Sequence, residues 1–198
     1  MTLGYEFYQQ DALIVAKELL GKLLVRKIGD REVICSIVET EAYIGPEDKG
    51  CHAYQNKRTK RTEVMFHSGG HAYIYFIYGM YYCFNVVTNL KDKPEAVLIR
   101  AVEPIAGLDI IKESRCIKSK KIADLTNGPG KLCQALNINK ALNGYNLVSG
   151  DQLYIKENPQ QHKFSIKSAK RINIDYAEEY IDMPWRFYIK DNPFVSKY

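Results

Sequence analysis

The spacing of apolar residues near the start of the chain predicts an amphipathic helix followed by a β-hairpin. After Asp11, apolar side chains recur at helical intervals, and Gly21 is a stop signal. The apolar positions are Ala12, Val15, Ala16, Leu19 and Leu20. Two β-rich stretches follow, residues 22–28 and 31–43, and Gly29-Asp30 between them suits a two-residue turn.

A stretch without charge lies in the middle of the chain. Residues 64–90 contain no Asp, Glu, Lys or Arg, a composition that could indicate a membrane span. The same stretch holds His, Asn, Gly and five Tyr, so insertion into hydrocarbon would leave many polar groups without partners. We therefore expect a buried or half-buried pair of strands and no membrane association.

The second half of the chain mixes helical and β patterns. A helical, basic pattern runs from 105 to 121, and Gly128-Pro129-Gly130 precedes a short helical stretch at 131–136. Short β-like runs follow at 152–156, 164–173 and 187–190. No repeat, low-complexity tract or long linker divides the chain. We expect the mixed α/β (α+β) class: a single compact domain, 1–198, with a curved, mostly antiparallel sheet flanked by helices.

Composition and charge are those of an ordinary soluble globular protein. The 198 residues are 46% hydrophobic and 26% charged, and 28 Lys plus Arg against 23 Asp plus Glu give a net charge of +5. This mild excess is compatible with a polyanionic partner. The five cysteines form no C-x-x-C pair, so neither a disulfide framework nor a zinc site is expected. Without a visible secretory signal, the expected location is the cytoplasm.

Two carboxylates end the second predicted strand. With a period of two residues, Glu39, Glu41 and Tyr43 share a face with the apolar Val33, Cys35 and Ile37. If the strand runs from the core into a cleft, a partly desolvated Glu could act as a general base or stabilise a cation. If the strand instead emerges into solvent, both are surface residues.

Residues 49–62 form a basic run with five cationic side chains and no acidic one. Interleaved Tyr, Asn and Thr side chains make it suitable for phosphate contacts, and a solvated loop is the alternative. Residues 126–135 suggest a phosphate loop but lack the G-x-x-x-x-G-K-[ST] spacing. The helix start near Lys131 could still hold one phosphate of a polymer, or be a plain helix start.

Aromatic residues are concentrated between Tyr73 and Phe84, where seven of twelve positions are aromatic. Gly79 breaks the alternation and places Tyr78 and Met80 at a hairpin tip, where a projecting ring could wedge into a base stack. Core packing or cross-strand pairing of these rings is the alternative interpretation.

Several long motifs in order resemble the alkyladenine DNA glycosylase family, the mammalian-type 3-methyladenine DNA glycosylases. The matching segments are 38–48 (VETEAYIGPED) with His52, 75–81 (YFIYGMY) with Cys83 and Asn85, 98–104 (LIRAVEP), 128–136 (GPGKLCQAL), 186–188 (RFY) and 193–196 (PFVS). The resemblance covers nearly the whole chain from Leu19 onward.

This resemblance implies a monofunctional glycosylase that uses neither metal nor cofactor and initiates base excision repair. Such an enzyme flips alkylated or deaminated purines, such as 3-methyladenine or hypoxanthine, out of double-stranded DNA and hydrolyses the N-glycosidic bond. Glu41 matches the general base that activates water, and Arg100 matches the residue that helps to hold that water. The main-chain carbonyl of Ile172 falls on a third catalytic position. Asn173 stands next to it, where the family commonly has Gly. We expect a monomer.

The resemblance also implies binding residues. Tyr43, His52 and Tyr75 match the pocket for the flipped base, and Tyr78 matches the ring that wedges into the helix. Asn85 matches the side chain that obstructs the 2-amino group of guanine. The segments that face the DNA backbone include Arg58, Lys60, Arg61 and Lys131.

General chemistry is consistent with such a function. An alkylated purine can carry a positive charge, which electron-rich Tyr rings attract. Loss of the base leaves positive charge on the sugar, which a carboxylate stabilises while it activates water. Two other hypotheses stay open: a non-catalytic nucleic-acid binder that uses the Tyr-rich hairpin and the basic loop, and a protein-interaction domain with a Tyr-rich surface.

Overall fold

The protein is described by a computed structural model over residues 1–116, 119, 121–160 and 163–196. In this part of the chain the strands are β1 (Leu23–Ile28), β2 (Arg31–Tyr43), β3 (Ala72–Ile77), β4 (Tyr81–Thr88), β5 (Glu95–Ala106), β6 (Leu153–Lys156), β7 (Ile166–Ala169) and β8 (Arg186–Ile189). The α-helices are α1 (Tyr5–Tyr8), α2 (Ala12–Glu18), α3 (Leu108–Arg115) and α4 (Pro129–Ala135).

The long strand β2 organises a sheet in the order β3-β4-β5-β2-β1-β6. Its first half pairs with β1, its second half pairs with β8, and β5 runs along its other edge. Strand β7 pairs with β8, and every pairing between these strands is antiparallel. The sheet and its flanking helices confirm the predicted mixed α/β class.

Apolar side chains pack on both faces of the sheet. Helices α2 and α4 cover one face and form the main core with β2, β4 and β5. Successive residues of a strand point to opposite faces, and a smaller cluster therefore lies on the other face. That cluster includes Tyr73, Val87 and Ala96, with Tyr43 and Tyr75 packed against it. The face opposite the helices thus carries the tyrosines.

Regular sequence patterns predicted their elements well. Helix α2 starts after Asp11, whose carboxylate accepts a hydrogen bond from Leu13 N at 2.7 Å. The first hairpin forms as predicted, with Gly29 at φ +60° in its turn. The charge-free stretch contains the predicted strand pair, β3 and β4. Of the three late β-like runs, 164–173 is a strand only over β7.

The predicted helix at 105–121 is wrong at its start. Ile105 and Ala106 belong to β5, and Gly107 at φ +76° separates this strand from α3. Cys116 at φ +41° ends the helix, and residues 117, 118 and 120 lie outside the described residues. Strand β5 itself and the one-turn helix α1 were not predicted.

Two general expectations concern membranes and cysteines. Among the described residues, no helix combines the length and the apolar character needed to span a bilayer.

All five cysteines are free thiols, and four of them are buried.

Candidate active site

Three register shifts interrupt the pairing of β2 with β5, and two of them lie next to the buried polar side chains of both strands. Strand β2 has one extra residue, Val38, between Ile37 and Glu39, and β5 has Arg100 in excess between Ile99 and Ala101. A bulge bends its strand and re-aims the side chains that follow it.

The bulge in β2 changes the face of the sheet on which the residues after Val38 lie. Thr40 lies on the helix side, where its hydroxyl donates to Ala16 O at 2.7 Å, and Ala42 lies in the main core. Glu39, Glu41 and Tyr43 alternate with these residues and occupy the opposite face, so the prediction that they share a face with Val33, Cys35 and Ile37 is wrong. The solvent-exposed alternative is also wrong, because both carboxylates are fully buried.

The Glu41 carboxylate is held by three partners. Ile172 N donates to Oε1 at 2.8 Å, and the Tyr43 hydroxyl donates to Oε2 at 2.9 Å. Arg100 Nη1 lies 3.2 Å from Oε1. The carboxylate is therefore charge-balanced and fixed in orientation, as a buried anion must be.

Glu39 fixes Arg100 from the other side. Its Oε1 accepts from Arg100 Nε at 3.2 Å and from Arg186 Nη1 at 2.8 Å. The Ser196 backbone N–H donates to Oε2 at 2.8 Å. Burial lowers the pKa of Arg100, but the negative charges of Glu41 and Glu39 outweigh this effect and raise that pKa. Arg100 is therefore a permanent cation between two carboxylates.

A second buried ion pair lies behind Tyr43. Arg171 and Asp48 form two charge-assisted hydrogen bonds, of 2.5 and 2.7 Å, and both side chains are fully buried. The guanidinium centre lies 4.7 Å from the ring of Tyr43 and 5.0 Å from that of Trp185. Asp48 and Arg171, and the Glu39 partners Arg186 and Ser196, were not among the predicted site residues, because the members of each pair are far apart in sequence.

An open cleft of about 770 Å³ brings most of the predicted site together. Predicted residues in its wall are Tyr43, His52, Tyr75, Tyr78, Arg100, Lys131 and Ile172. Glu41 lies behind this wall, bonded to Tyr43, Arg100 and Ile172. A small chamber of about 30 Å³ shares Tyr43, His52 and Tyr75 with the cleft, and Asn85 lines it. The unpredicted Tyr176 borders both spaces, and its hydroxyl donates to Gly50 O at 3.2 Å.

Tyr43, Tyr75 and His52 in the wall of the cleft carry no charge near neutral pH. Burial raises the pKa of Tyr43 and of Tyr75, so both phenols stay protonated. Burial, followed by the nearby charge of Arg61, lowers the pKa of His52 to about 4. The His52 ring meets the Tyr75 ring edge-on at 4.6 Å.

Asn85 is held inside the small chamber. It is buried, and its Nδ2 donates to Tyr73 O at 3.1 Å. Its amide orientation is therefore set by the backbone of β3.

The hairpin between β3 and β4 projects an aromatic tip. Tyr78 at φ +54° and Gly79 at φ +68° form the turn, and Met80 N donates to Ile77 O at 3.2 Å. The side chain of Tyr78 is 68% exposed, and Met80 beside it is 60% exposed. The predicted tip is confirmed, and it places Tyr78 at the edge of the cleft.

The backbone conformation of Asn173 explains why Asn can stand where the resembling family commonly has Gly. Asn173 has φ +60°, which lies in the left-handed region that Gly adopts most readily and that Asn tolerates better than most other residues. Asn173 and Ile172 both line the cleft.

The predicted cations for the DNA backbone differ in their surroundings. Arg58 is held by Glu63 at 2.7 Å and by Asp92 at 3.0 Å. Arg61 approaches His52 and Tyr75. Lys60 is exposed. Lys131 lines the cleft, and its Nζ donates to Asn127 Oδ1 at 2.7 Å.

Comparison with known proteins shows a match along nearly the whole chain. The family model described as methylpurine-DNA glycosylase (MPG) matches residues 6–193. A protein of Natranaerobius thermophilus named "Putative 3-methyladenine DNA glycosylase" is 62% identical over 196 residues, covering 99% of both chains. Proteins with the same name from Desulfitobacterium hafniense and Clostridium beijerinckii are 54% and 51% identical, covering 98% and 100% of both chains respectively.

Proposed function

Because this chain belongs to the methylpurine-DNA glycosylase family, we propose that it is a DNA glycosylase that hydrolyses the N-glycosidic bond of damaged purines in double-stranded DNA. The observation that carries the proposal is the buried Glu41 carboxylate, which is bonded to Arg100, Tyr43 and Ile172 in the wall of an aromatic cleft.

Glu41 is the general base of the proposed reaction. A water between the carboxylate and the sugar C1′ loses its proton to Glu41 as the C1′–N bond breaks, and the oxygen bonds to C1′. The electron pair of the broken bond leaves with the purine: it neutralises an alkylated base, and hypoxanthine takes up a proton from water, to which Glu41 returns its own. The same negative charge stabilises the positive charge that develops on the sugar. Arg100 holds the carboxylate and this water, and the carbonyl of Ile172 orients the water from the other side.

Tyr43, His52 and Tyr75 bind the flipped base between neutral aromatic surfaces. A purine with a fixed positive charge, such as 3-methyladenine, gains cation–π attraction there. Hypoxanthine, which is neutral, stacks on the same rings. The Asn85 side chain obstructs the 2-amino group of guanine and so rejects a normal base by steric clash.

Tyr78 fills the gap that the flipped nucleotide leaves in the helix. Its exposure at the hairpin tip allows the ring to enter a base stack, which offsets part of the unstacking cost of a few kcal/mol. Lys60 and Lys131 contact phosphates. Arg58 and Arg61 contact phosphates only by leaving their internal partners.

The test is single-turnover release of 3-methyladenine and hypoxanthine from duplex DNA by wild type and Glu41→Gln. Because general-base catalysis contributes roughly 100-fold to 10,000-fold, release should fall by at least about 100-fold in the variant. Binding to a duplex with an abasic-site analogue should persist. Glu32→Gln is the matched control, because Glu32 lies on the same strand, away from the cleft, and pairs with β1.

Two outcomes would overturn the proposal. If wild type binds the analogue tightly but releases neither base, the chain is a non-catalytic binder. If Glu41→Gln and Glu32→Gln release bases equally fast, Glu41 is not the general base.

A further inference from the structure

Arg61 lies in the basic run, yet its guanidinium contacts the wall of the base cleft. Its Nη2 lies 3.3 Å from His52 Nε2, and its guanidinium centre lies 5.2 Å from the centre of the Tyr75 ring. Arg58, three residues earlier, is held by carboxylates instead. Arg61 therefore contacts two pocket residues directly, whereas Arg58 is bound to carboxylates outside the pocket.

The hydrogen bonds of His52 determine its protonation. A guanidinium has donors but no acceptor, so His52 Nε2 must accept from Arg61. The proton of the neutral ring is then on Nδ1, which donates to the Tyr73 hydroxyl at 2.9 Å. A second proton would have to enter at Nε2, where it would meet the donor face of a cation.

We propose that Arg61 is a positioning residue that holds His52 neutral in this single tautomer and thereby keeps the base pocket open to purines that carry a positive charge. The inference rests on the proposed function. Arg61 acts through His52 and need not contact the substrate.

The other groups around His52 do not favour an imidazolium. Tyr73 and Tyr75 of β3 face it with phenols, and Cys51 and Tyr176 share the walls of the small chamber. On the outer side it shares a groove with Lys49 and Lys57. None of the described residues that share a cavity wall with His52 is acidic.

The charge of His52 matters for one class of lesion. A protonated His52 would repel a cationic purine stacked beside it, whereas a neutral purine would feel little of this repulsion. Burial favours the neutral imidazole first, and the nearby cation of Arg61 adds to this preference. Loss of Arg61 should therefore slow the release of cationic purines at acid pH and leave the release of hypoxanthine unchanged.

The first test is an NMR titration of the His52 ring in wild type, Arg61→Gln, Arg61→Lys and Lys60→Gln. Lys60→Gln is the matched control, because it removes the neighbouring cation, which makes no hydrogen bond or ion pair with another described residue. We expect the His52 titration midpoint to rise by about one pH unit in Arg61→Gln, because burial, the larger cause of the lowered pKa, remains. Arg61→Lys and Lys60→Gln should stay close to wild type.

The second test compares release of 3-methyladenine and hypoxanthine by the same proteins at pH 7 and pH 5. A rise of the midpoint from about 4 to about 5 would protonate half of the His52 rings at pH 5. Release of 3-methyladenine by Arg61→Gln should then fall about two-fold at pH 5 beyond the wild-type change. Release of hypoxanthine by Arg61→Gln should change with pH as it does in wild type. Lys60→Gln should slow the release of both bases by the same factor at both pH values.

The outcomes separate the inference from the proposed function. An unchanged His52 midpoint in Arg61→Gln, or an equal acid loss for both lesions, would overturn the role of Arg61 even with a fully active wild type. If wild type releases neither base, the proposed function fails and the claim about cationic lesions falls with it. The titration then still decides whether Arg61 holds His52 neutral.

Discussion

Removal of the Asp48 charge should strongly destabilise the protein and also slow base release. In Asp48→Asn, the guanidinium of Arg171 stays fully buried between Tyr43 and Trp185 without a carboxylate. Breaking a buried pair from one side costs about 3–5 kcal/mol, because a charge is left uncompensated. A domain is typically stable by only about 5–15 kcal/mol, so the loss is a large fraction of the total.

A double-mutant cycle measures the coupling of this pair. Arg171→Met should cost a similar amount, because it leaves the buried carboxylate of Asp48 without its cation. The double variant removes both charges and should be more stable, by at least about 2 kcal/mol, than the sum of the two single losses predicts. The assay is urea unfolding at constant pH, with the midpoint and the slope fitted separately.

The neighbouring surface pair provides the control. Lys170 and Asp182 form an ion pair whose side chains are 65% and 76% exposed. Asp182→Asn should therefore cost less than about 1 kcal/mol. The reasoning is refuted if Asp48→Asn costs no more than Asp182→Asn, or if the losses of the two single variants simply add in the double variant.

Base release by the Asp48 variant should also fall. Ile172 follows Arg171 in the chain, and its N–H donates to Glu41. A displaced Arg171 would therefore shift both this donor and the Tyr43 ring. Single-turnover release at a temperature where the variant is folded should be slower than in Asp182→Asn.

Three further predictions follow from other parts of the site. His52 takes a proton near pH 6.5 when unfolded but near 4 when folded, so the unfolded chain binds more protons in between and stability falls as pH drops. His52→Gln should remove up to about 3 kcal/mol of the stability loss between pH 7 and 4 in urea unfolding, and an unchanged loss would contradict this. In thermal unfolding, Tyr78→Gly should be as stable as wild type or more stable by up to about 1 kcal/mol, because Gly adopts the left-handed conformation of this turn without strain. Base release by this variant should be slower, and a large loss of stability would show that Tyr78 is not strained in the turn. Lys60→Gln should lower the salt slope of DNA binding by about one, and Arg58→Gln, whose charge Glu63 and Asp92 already balance, by clearly less.

Local pattern was sufficient for elements whose periodicity is regular. Asp11, the apolar spacing after it and Gly29-Asp30 predicted α2 and the first hairpin, and Gly79 predicted the tip that carries Tyr78. Strand β5 was not predicted, because polar residues and a proline interrupt its apolar pattern. These residues are Glu95, Arg100, Glu103 and Pro104. These side chains lie in a strand because its neighbours bury them or pair with them, which local propensity does not include.

The bulges could not be predicted from the sequence. A single extra residue such as Val38 leaves no mark in composition, but it changes which face Glu41 occupies. The motif order identified Glu41, Tyr43 and His52 as candidates. The fold places Tyr43 and His52 in the wall of one cleft, with Glu41 bonded to Tyr43 behind that wall. Arg171 and Asp48 are 123 residues apart, so only the tertiary structure shows that they pair.

The positions of the Glu39 partners along the chain also determine when the site can form during synthesis. They come from Arg100, Arg186 and Ser196, which are 61, 147 and 157 residues further along the chain. During synthesis the chain emerges from its amino end, so β2 exists long before the groups that neutralise its carboxylates. A nascent chain that has not yet reached Ser196 cannot bury Glu39 with all its partners, and Arg100 then lacks its anchor. Nearly all of this sequence must therefore be synthesised before the Glu39–Arg100 pair can fix the Glu41 carboxylate in its orientation.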